Sequence, residues 1–220
     1  MEKTKMKSSV SNNWDQFVIS SYDCLADTSL SFDAFSNGLK GYYVLKEKGS
    51  LKQENVLTIV DFTQHSSKER MYLIDMNSFK VIKRSLCSHG KNTGSAMATQ
   101  FSNTNGSLQS SLGFFLTAET YSGKFDYAMR LDGLENVNSR ARERGIVVHG
   151  ANYATTSFLE RNGGVLGRSY GCPALPKEEA SEIIDEIKEG SCFFIYSNDL
   201  NYLESSQIIN GKIYLSVVEA

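Results

Sequence analysis

The chain has 220 residues, enough for one domain or one domain with a modest extension, and long enough to bury most of its apolar surface. Its residues are 40% hydrophobic and 22% charged, which excludes a disordered chain. The balance of 23 Lys and Arg against 25 Asp and Glu, with no basic block, argues against nucleic acid as a partner. No apolar run approaches the roughly 18 residues of a membrane helix, so an integral membrane protein is not expected.

Residues 1–13 are polar and lack the apolar core of a secretory signal, so they are expected to be disordered or a cloning remnant. Residues 14–48 read as an N-terminal helical arm packed on the domain that follows, 49–220. Ser31 suits an N-cap and Asp33 the first turn, and Phe32, Phe35, Leu39 and Tyr42 recur at helical spacing up to Gly49. Val56 to Phe62 is a branched apolar run and reads as a buried strand. Arg70 to Asp75 and Lys80 to Cys87 read as two strands joined by a short turn. The polar segment from His89 to Ser111 is long for a loop inside a compact domain, which favours a functional loop. Leu112 to Ala118 and Phe125 to Leu131 form another expected strand pair, turning at Tyr121 to Gly123. Asn138 to Glu143 reads as a short helix, and Gly145 to His149 as an apolar strand ending in histidine.

Pro176 suits the first turn of a helix in which Ala180, Ile183, Ile184 and Ile187 form the apolar stripe and Gly190 the stop. Ser191 to Tyr196 reads as a strong strand and Gly211 to Val218 as another. The expected fold class is α+β, with a β-rich core and few helices. The four cysteines, Cys24, Cys87, Cys172 and Cys192, show no C-x-x-C spacing, and Cys87 and Cys192 sit in apolar runs as buried small side chains. The histidines His65, His89 and His149 are too scattered to suggest a zinc site, so no metal is expected.

Chemistry concentrates in His149-Gly150 and in Gly167-Arg168-Ser169-Tyr170-Gly171-Cys172-Pro173. Cys172 follows a glycine and precedes a proline, which puts it on a turn where a thiol can reach a cleft. A free thiol has a pKa of about 8.5, so it needs a base to react at neutral pH. His149, at a strand end, can take that proton. The N–H groups of Gly171 and Cys172 can form an oxyanion hole, each donor lowering the barrier by ~3 kcal/mol. Arg168 can hold a substrate carboxylate. On spacing alone the same residues also fit a small packing cysteine, a surface arginine and a hydrogen-bonded loop histidine at His89.

The segment from His149 to Pro176 resembles the active-site motif of the L,D-transpeptidases, the YkuD-type catalytic domain. The matching residues are His149-Gly150 and Ser169-Tyr170-Gly171-Cys172. The chain is most similar to the murein L,D-transpeptidase catalytic-domain family proteins, whose further segments match Val60-Asp61-Phe62, Ser88 to Gly94, Phe101-Ser102-Asn103, Ser110 to Phe114, Leu131 to Glu135 and Gly167-Arg168-Ser169. The likeness covers roughly residues 30–205 and implies a mixed β-sandwich or barrel with few helices.

The resemblance implies Cys172 as nucleophile, His149 as base and the Gly150 carbonyl as the group that orients the imidazole. It implies Gly171 and Cys172 as oxyanion donors, Ser169, Arg168 and Tyr170 as substrate contacts, and His89 at the cleft rim. The substrate it implies is the peptidoglycan stem peptide, cleaved after the L-centre of its third residue, a diamino acid, with release of D-alanine. Transfer to an amine gives a cross-link, and water gives carboxypeptidase or endopeptidase activity. No cofactor is implied, a monomer is favoured, and the location implied is the bacterial envelope or periplasm after removal of a signal. The common motif has an apolar residue and then arginine after the cysteine. Here Pro173 and Ala174 stand there, and Tyr170 stands where many members have histidine. A non-catalytic wall-binding protein on the same fold is the alternative this departure suggests.

Overall fold

The structure is a computed structural model that describes residues 2–123 and 126–213, with side chains from Asn13 onward. Helix α1 (Glu2–Leu25) opens the chain, so the start expected to be disordered is helical from residue 2. Helix α2 (Phe32–Glu47) follows, capped as its sequence indicates. Ser31 has extended backbone angles and its Oγ accepts from Ala34 N at 3.3 Å. The same hydroxyl donates at 2.9 Å to Asp61 Oδ2, which places a buried carboxylate at the positive end of α2. Phe35, Leu39 and Tyr42 are buried, and Trp14 and Phe17 of α1 pack their rings against Tyr43.

The strands form one mixed sheet of eight: β1 (Val56–Asp61), β2 (Met71–Asp75), β3 (Lys80–Ser85), β4 (Gly113–Gly123), β5 (Asp126–Gly133), β6 (Val147–Ala151), β7 (Ala174–Pro176) and β8 (Cys192–Tyr196). Their order is β3-β2-β1-β8-β4-β5-β6-β7. The β1–β8 and β6–β7 pairs are parallel and the other five antiparallel. The two edges meet: beyond β3, Ser88 N donates to Ala174 O at 2.8 Å and Ala174 N returns a bond at 3.3 Å. The sheet is thereby curled into a barrel-like shape, and the α+β class is borne out. Strands β1 and β8 are buried along their whole length, which is why they read as continuous apolar runs rather than alternating ones.

Helix α2 lies across β1 and β8. It comes so close that a Cβ on Gly41 would stand 2.0 Å from Phe114, whose ring stacks on Phe194 with centroids 4.1 Å apart. Gly41→Ala must displace that stack or the helix, and a stability loss of about 2 kcal/mol is expected, read as a lower urea midpoint with unchanged slope. Helix α4 (Ala180–Ile187) buries the four anticipated residues and packs against β6.

The structure corrects the sequence reading at several places. Pro176 does not open a helix. It ends β7, an edge strand, paired with Ala151 where its missing N–H is tolerated. Asn138 to Glu143 is a run of turns instead of a helix. Buried Asn138 spends its side chain on Leu112 O and Phe114 O, 26 and 24 positions away, and on Glu135 N, which ties this segment to the start of β4. Strands β4 and β5 extend past the expected turn, and Tyr121 to Gly123 is strand. Helices α3 (Thr156–Arg161) and α5 (Leu200–Ser205) were not anticipated. Phe125 and most of the strand expected at Gly211 to Val218 lie outside the described residues.

Candidate active site

Strands β6 and β7 assemble the site. Their parallel register sets His149 opposite Ala174, so Cys172, two residues earlier, stands alongside Val147. His149 is 1% exposed and Cys172 8% exposed. His149 Nδ1 lies 3.0 Å from Gly150 O. A carbonyl only accepts, so this bond forms with the proton on Nδ1, and Nε2 is then the unprotonated nitrogen of the neutral ring.

The Cys172 turn is tied down from both sides. Ser169 Oγ donates to Cys172 O at 2.6 Å and accepts from Gly171 N at 3.1 Å. Ser110 Oγ donates to Gly171 O at 3.1 Å. Lys91 N donates to Ser169 O at 2.7 Å and Ser169 N to His89 O at 3.0 Å, so the long polar loop after β3 braces the turn. Gly171 has φ +126°, and a Cβ there would stand 2.8 Å from Gln109 O, so glycine is required on both counts. The Gly171 N–H is taken up by Ser169, and the Cys172 N–H acts on its own sulfur.

Burial pushes the Cys172 thiol pKa up, opposed by the Val147 N–H and by Arg144. Burial pushes the His149 pKa down, opposed by the Gly150 carbonyl. Both shifts favour a neutral thiol beside a neutral imidazole at rest. The arrangement suits general-base removal of the thiol proton during attack more than a standing ion pair. In the resting site the thiol donates to Gly145 O at 3.7 Å.

The other expected site residues divide. Tyr170 is 72% exposed and stands free beside the Cys172 turn. Arg168 is exposed, and its Nη1 donates to Gly94 O at 3.2 Å and Lys91 O at 3.4 Å. His89 is not at a cleft rim: it is 1% exposed, beneath the loop. Its Nδ1 accepts from Arg70 Nη2 at 2.7 Å and its Nε2 faces Gly94 O at 3.3 Å. Arg70 is itself fully buried, bound also to Cys87 O and Gln64 O, with its guanidinium 4.7 Å from the Phe62 ring centroid. Sequence reasoning missed Arg70 and Arg144. The first heads an apolar strand and the second closes a charge run, and neither position announces a buried or half-buried cation.

Burial and the neighbouring Arg70 charge push the His89 pKa down to about 4. The unfolded chain takes up that proton below about pH 6.5, and the folded chain only near pH 4, so this part of the stability is full above the unfolded value and lost as pH falls through the window. His89→Asn removes that loss. Between pH 7 and pH 4.5 its unfolding free energy is expected to fall less than the wild type's, by on the order of 2 kcal/mol, in paired urea titrations.

Residues 26–196 match the family model described as the L,D-transpeptidase catalytic domain. The chain belongs to this family. Among solved structures, the L,D-transpeptidase from Mycobacterium smegmatis is similar over 65% of this chain and 59% of its own, at 14% identity and TM-score 0.41. L,D-transpeptidase 3 from Mycobacterium tuberculosis is similar over 65% of this chain and 61% of its own, at 13% identity and TM-score 0.42. The chain thus spans about three fifths of the length of these relatives. No curated protein matches the chain. In this L,D-transpeptidase family member the residues after Cys172 run straight into β7, and Ala174 is fully buried in a small cluster with Ala151 and Ala154. The space at Ala174 therefore suits a methyl group and not the arginine of the common motif. Among the described residues no cluster of three or more His, Cys, Asp or Glu has the makings of a metal site, and no helix is long and apolar enough to cross a membrane.

Proposed function

We propose that this chain is a cysteine-dependent acyltransferase of peptidoglycan stem peptides, working in the bacterial envelope without a metal or organic cofactor. The observation that supports the reading is the β6–β7 register, which sets His149 opposite Ala174, two residues after Cys172, with its Nδ1 hydrogen-bonded to Gly150 O. In this mechanism Cys172 Sγ attacks the carbonyl carbon of the third stem residue as its proton passes to His149 Nε2. The developing oxyanion takes the Cys172 N–H. The bond to D-alanine breaks, its amine receives the proton from the imidazolium, and a thioester remains on Cys172. An acceptor amine then attacks the thioester, His149 takes the amine's proton and returns it to the sulfur, and the cross-link leaves. The low exposure of Cys172 favours transfer over hydrolysis, because bulk water has little access to the sulfur. Tyr170, exposed beside the turn, offers a face for the substrate.

The test is an intact-mass spectrum after mixing the protein with a disaccharide-tetrapeptide, with and without an added amine. A tripeptide acyl adduct with released D-alanine, converted to an amide product by the amine, is expected. Conversion to free tripeptide regardless of amine would assign a hydrolase. No adduct and no D-alanine from folded protein would leave wall binding as the function.

A further inference from the structure

A cation that acts on the Cys172 thiol comes from a part of the chain that the motif does not include. Arg144 ends the run of turns that leads into β6, and it is half-buried. Its Nη1 donates to Ser102 O at 2.7 Å and Ser111 Oγ at 2.6 Å, and its Nη2 to Gln109 O at 2.6 Å and Ser107 Oγ at 3.2 Å. All four acceptors are neutral and all lie in segment 102–111. Among the described residues Arg144 makes no ion pair. Its charge is therefore fixed in place by hydrogen bonds and not cancelled by a carboxylate.

That charge faces the Cys172 turn. A Cβ on Gly171 would stand 3.3 Å from Arg144 Nη2, and Gly171 adjoins Cys172. Arg144 opposes the effect of burial on the Cys172 thiol, and Cys172 is the acidic group that acts on the guanidinium. Tyr153 is a further titratable group coupled to the sulfur, its phenol pushed above its ordinary range by burial and the Cys172 thiol, and His149 stands on β6 opposite Ala174. Arg168 does not share this place, since it is engaged with the carbonyls of Lys91 and Gly94.

We propose that Arg144 is a positioning residue of this site, an uncompensated cation that clamps segment 102–111 against the Cys172 turn and stabilises the Cys172 thiolate as the proton leaves. The inference rests on the reading of Cys172 as nucleophile and His149 as base. In the step concerned, the thiol proton moves from Sγ to His149 Nε2, the S–H electron pair stays on sulfur, and the neutral pair becomes an ion pair. The guanidinium field favours the side of that equilibrium with charge on sulfur.

The experiment is the rate of Cys172 alkylation by iodoacetamide against pH, followed by mass spectrometry on the peptide that carries Cys172, because Cys24 is exposed and reacts as well. Two variants are compared with the wild type. Arg144→Gln removes the charge. Ser107→Asp keeps the arginine and an acceptor for Nη2 and for Gln109 N at residue 107 but sets a carboxylate against Nη2, and it decides the matter should Arg144→Gln fail to fold. The expected result is a pH midpoint raised by about one unit in each, hence roughly tenfold slower alkylation at pH 7. A purely structural role would change accessibility, and with it the plateau rate, at an unchanged midpoint. Midpoints equal to the wild type's in the folded variants would overturn the proposal. The readout needs no peptidoglycan, so it stands apart from the stem-peptide test: a wild type that forms no acyl adduct fails the function, and unshifted midpoints fail Arg144.

Discussion

Cys172→Ala is expected to abolish both D-alanine release and the acyl adduct while the protein stays folded. The thiol is the one group in the site able to form the thioester, and the neighbouring serines are committed elsewhere. Ser169 Oγ donates to Cys172 O and Ser110 Oγ to Gly171 O. Loss of a nucleophile that acts as a unit with its base costs on the order of 10⁵- to 10⁶-fold in turnover. Stability is expected to change by less than about 1 kcal/mol, because alanine keeps the Cβ and the turn is held by its backbone. The measurement pairs D-alanine release with a urea unfolding curve. Residual turnover above about 1% of wild type, in protein free of contaminating activity, would remove Cys172 from the mechanism.

Arg70→Met is expected to give the largest loss of stability of any variant considered. The Arg70 guanidinium sits in the interior and gives hydrogen bonds to Cys87 O, Gln64 O and His89 Nδ1. Methionine matches its length but leaves those acceptors without donors, each costing about 1–3 kcal/mol, so a total near 4 kcal/mol is expected. That is a large share of the roughly 5–15 kcal/mol that holds a domain together. Arg70→Lys should recover little, since a single ammonium cannot reproduce the fork or the contact with the Phe62 ring. The check is the urea midpoint of each variant at pH 7. Because His89 O bonds to Ser169 N, the same variant should loosen the brace on the Cys172 turn. A midpoint close to the wild type's would mean that water replaces the guanidinium at low cost.

The two cations beside the site have opposite settings. Arg70 bonds to neutral acceptors beside an aromatic face, and burial, opposed by Cys87 and Asp61, lowers its pKa to about 10, so its charge is costly and structural. Arg144 keeps one side toward the Cys172 turn, where a negative charge on sulfur would offset its own. One loop, residues 89–111, joins them: His89 at its start receives Arg70, and Ser102 to Ser111 at its end receive Arg144. The segment that composition alone marks as a functional loop is therefore the brace of the Cys172 turn.

Much of the molecule was legible from the chain alone, for local reasons. Helix α2 carries its cap at Ser31 and its stripe within one stretch, so both signals are readable without neighbours. Strands β1 and β8 are buried on both faces, and an unbroken apolar run says so. The pair His149-Gly150 and Ser169-Tyr170-Gly171-Cys172 is a local chemical pattern, so the candidate site and the family followed from the sequence. What the sequence could not show depends on partners far along the chain. Strand β7 is three residues long and exists only through its pairing with β6, so Pro176 looked like a helix start. His89 looked like a rim residue because nothing nearby reveals that Arg70, 19 positions earlier, meets it in the interior. Arg144 reaches acceptors 33 to 42 positions away, a distance over which no spacing rule operates. The sequence by itself determined the residue types able to do the chemistry and the local elements that carry them. The curling of the sheet decided which cations stand behind them, because only closure of the β3 and β7 edges brings the loop, the turn and the two arginines together.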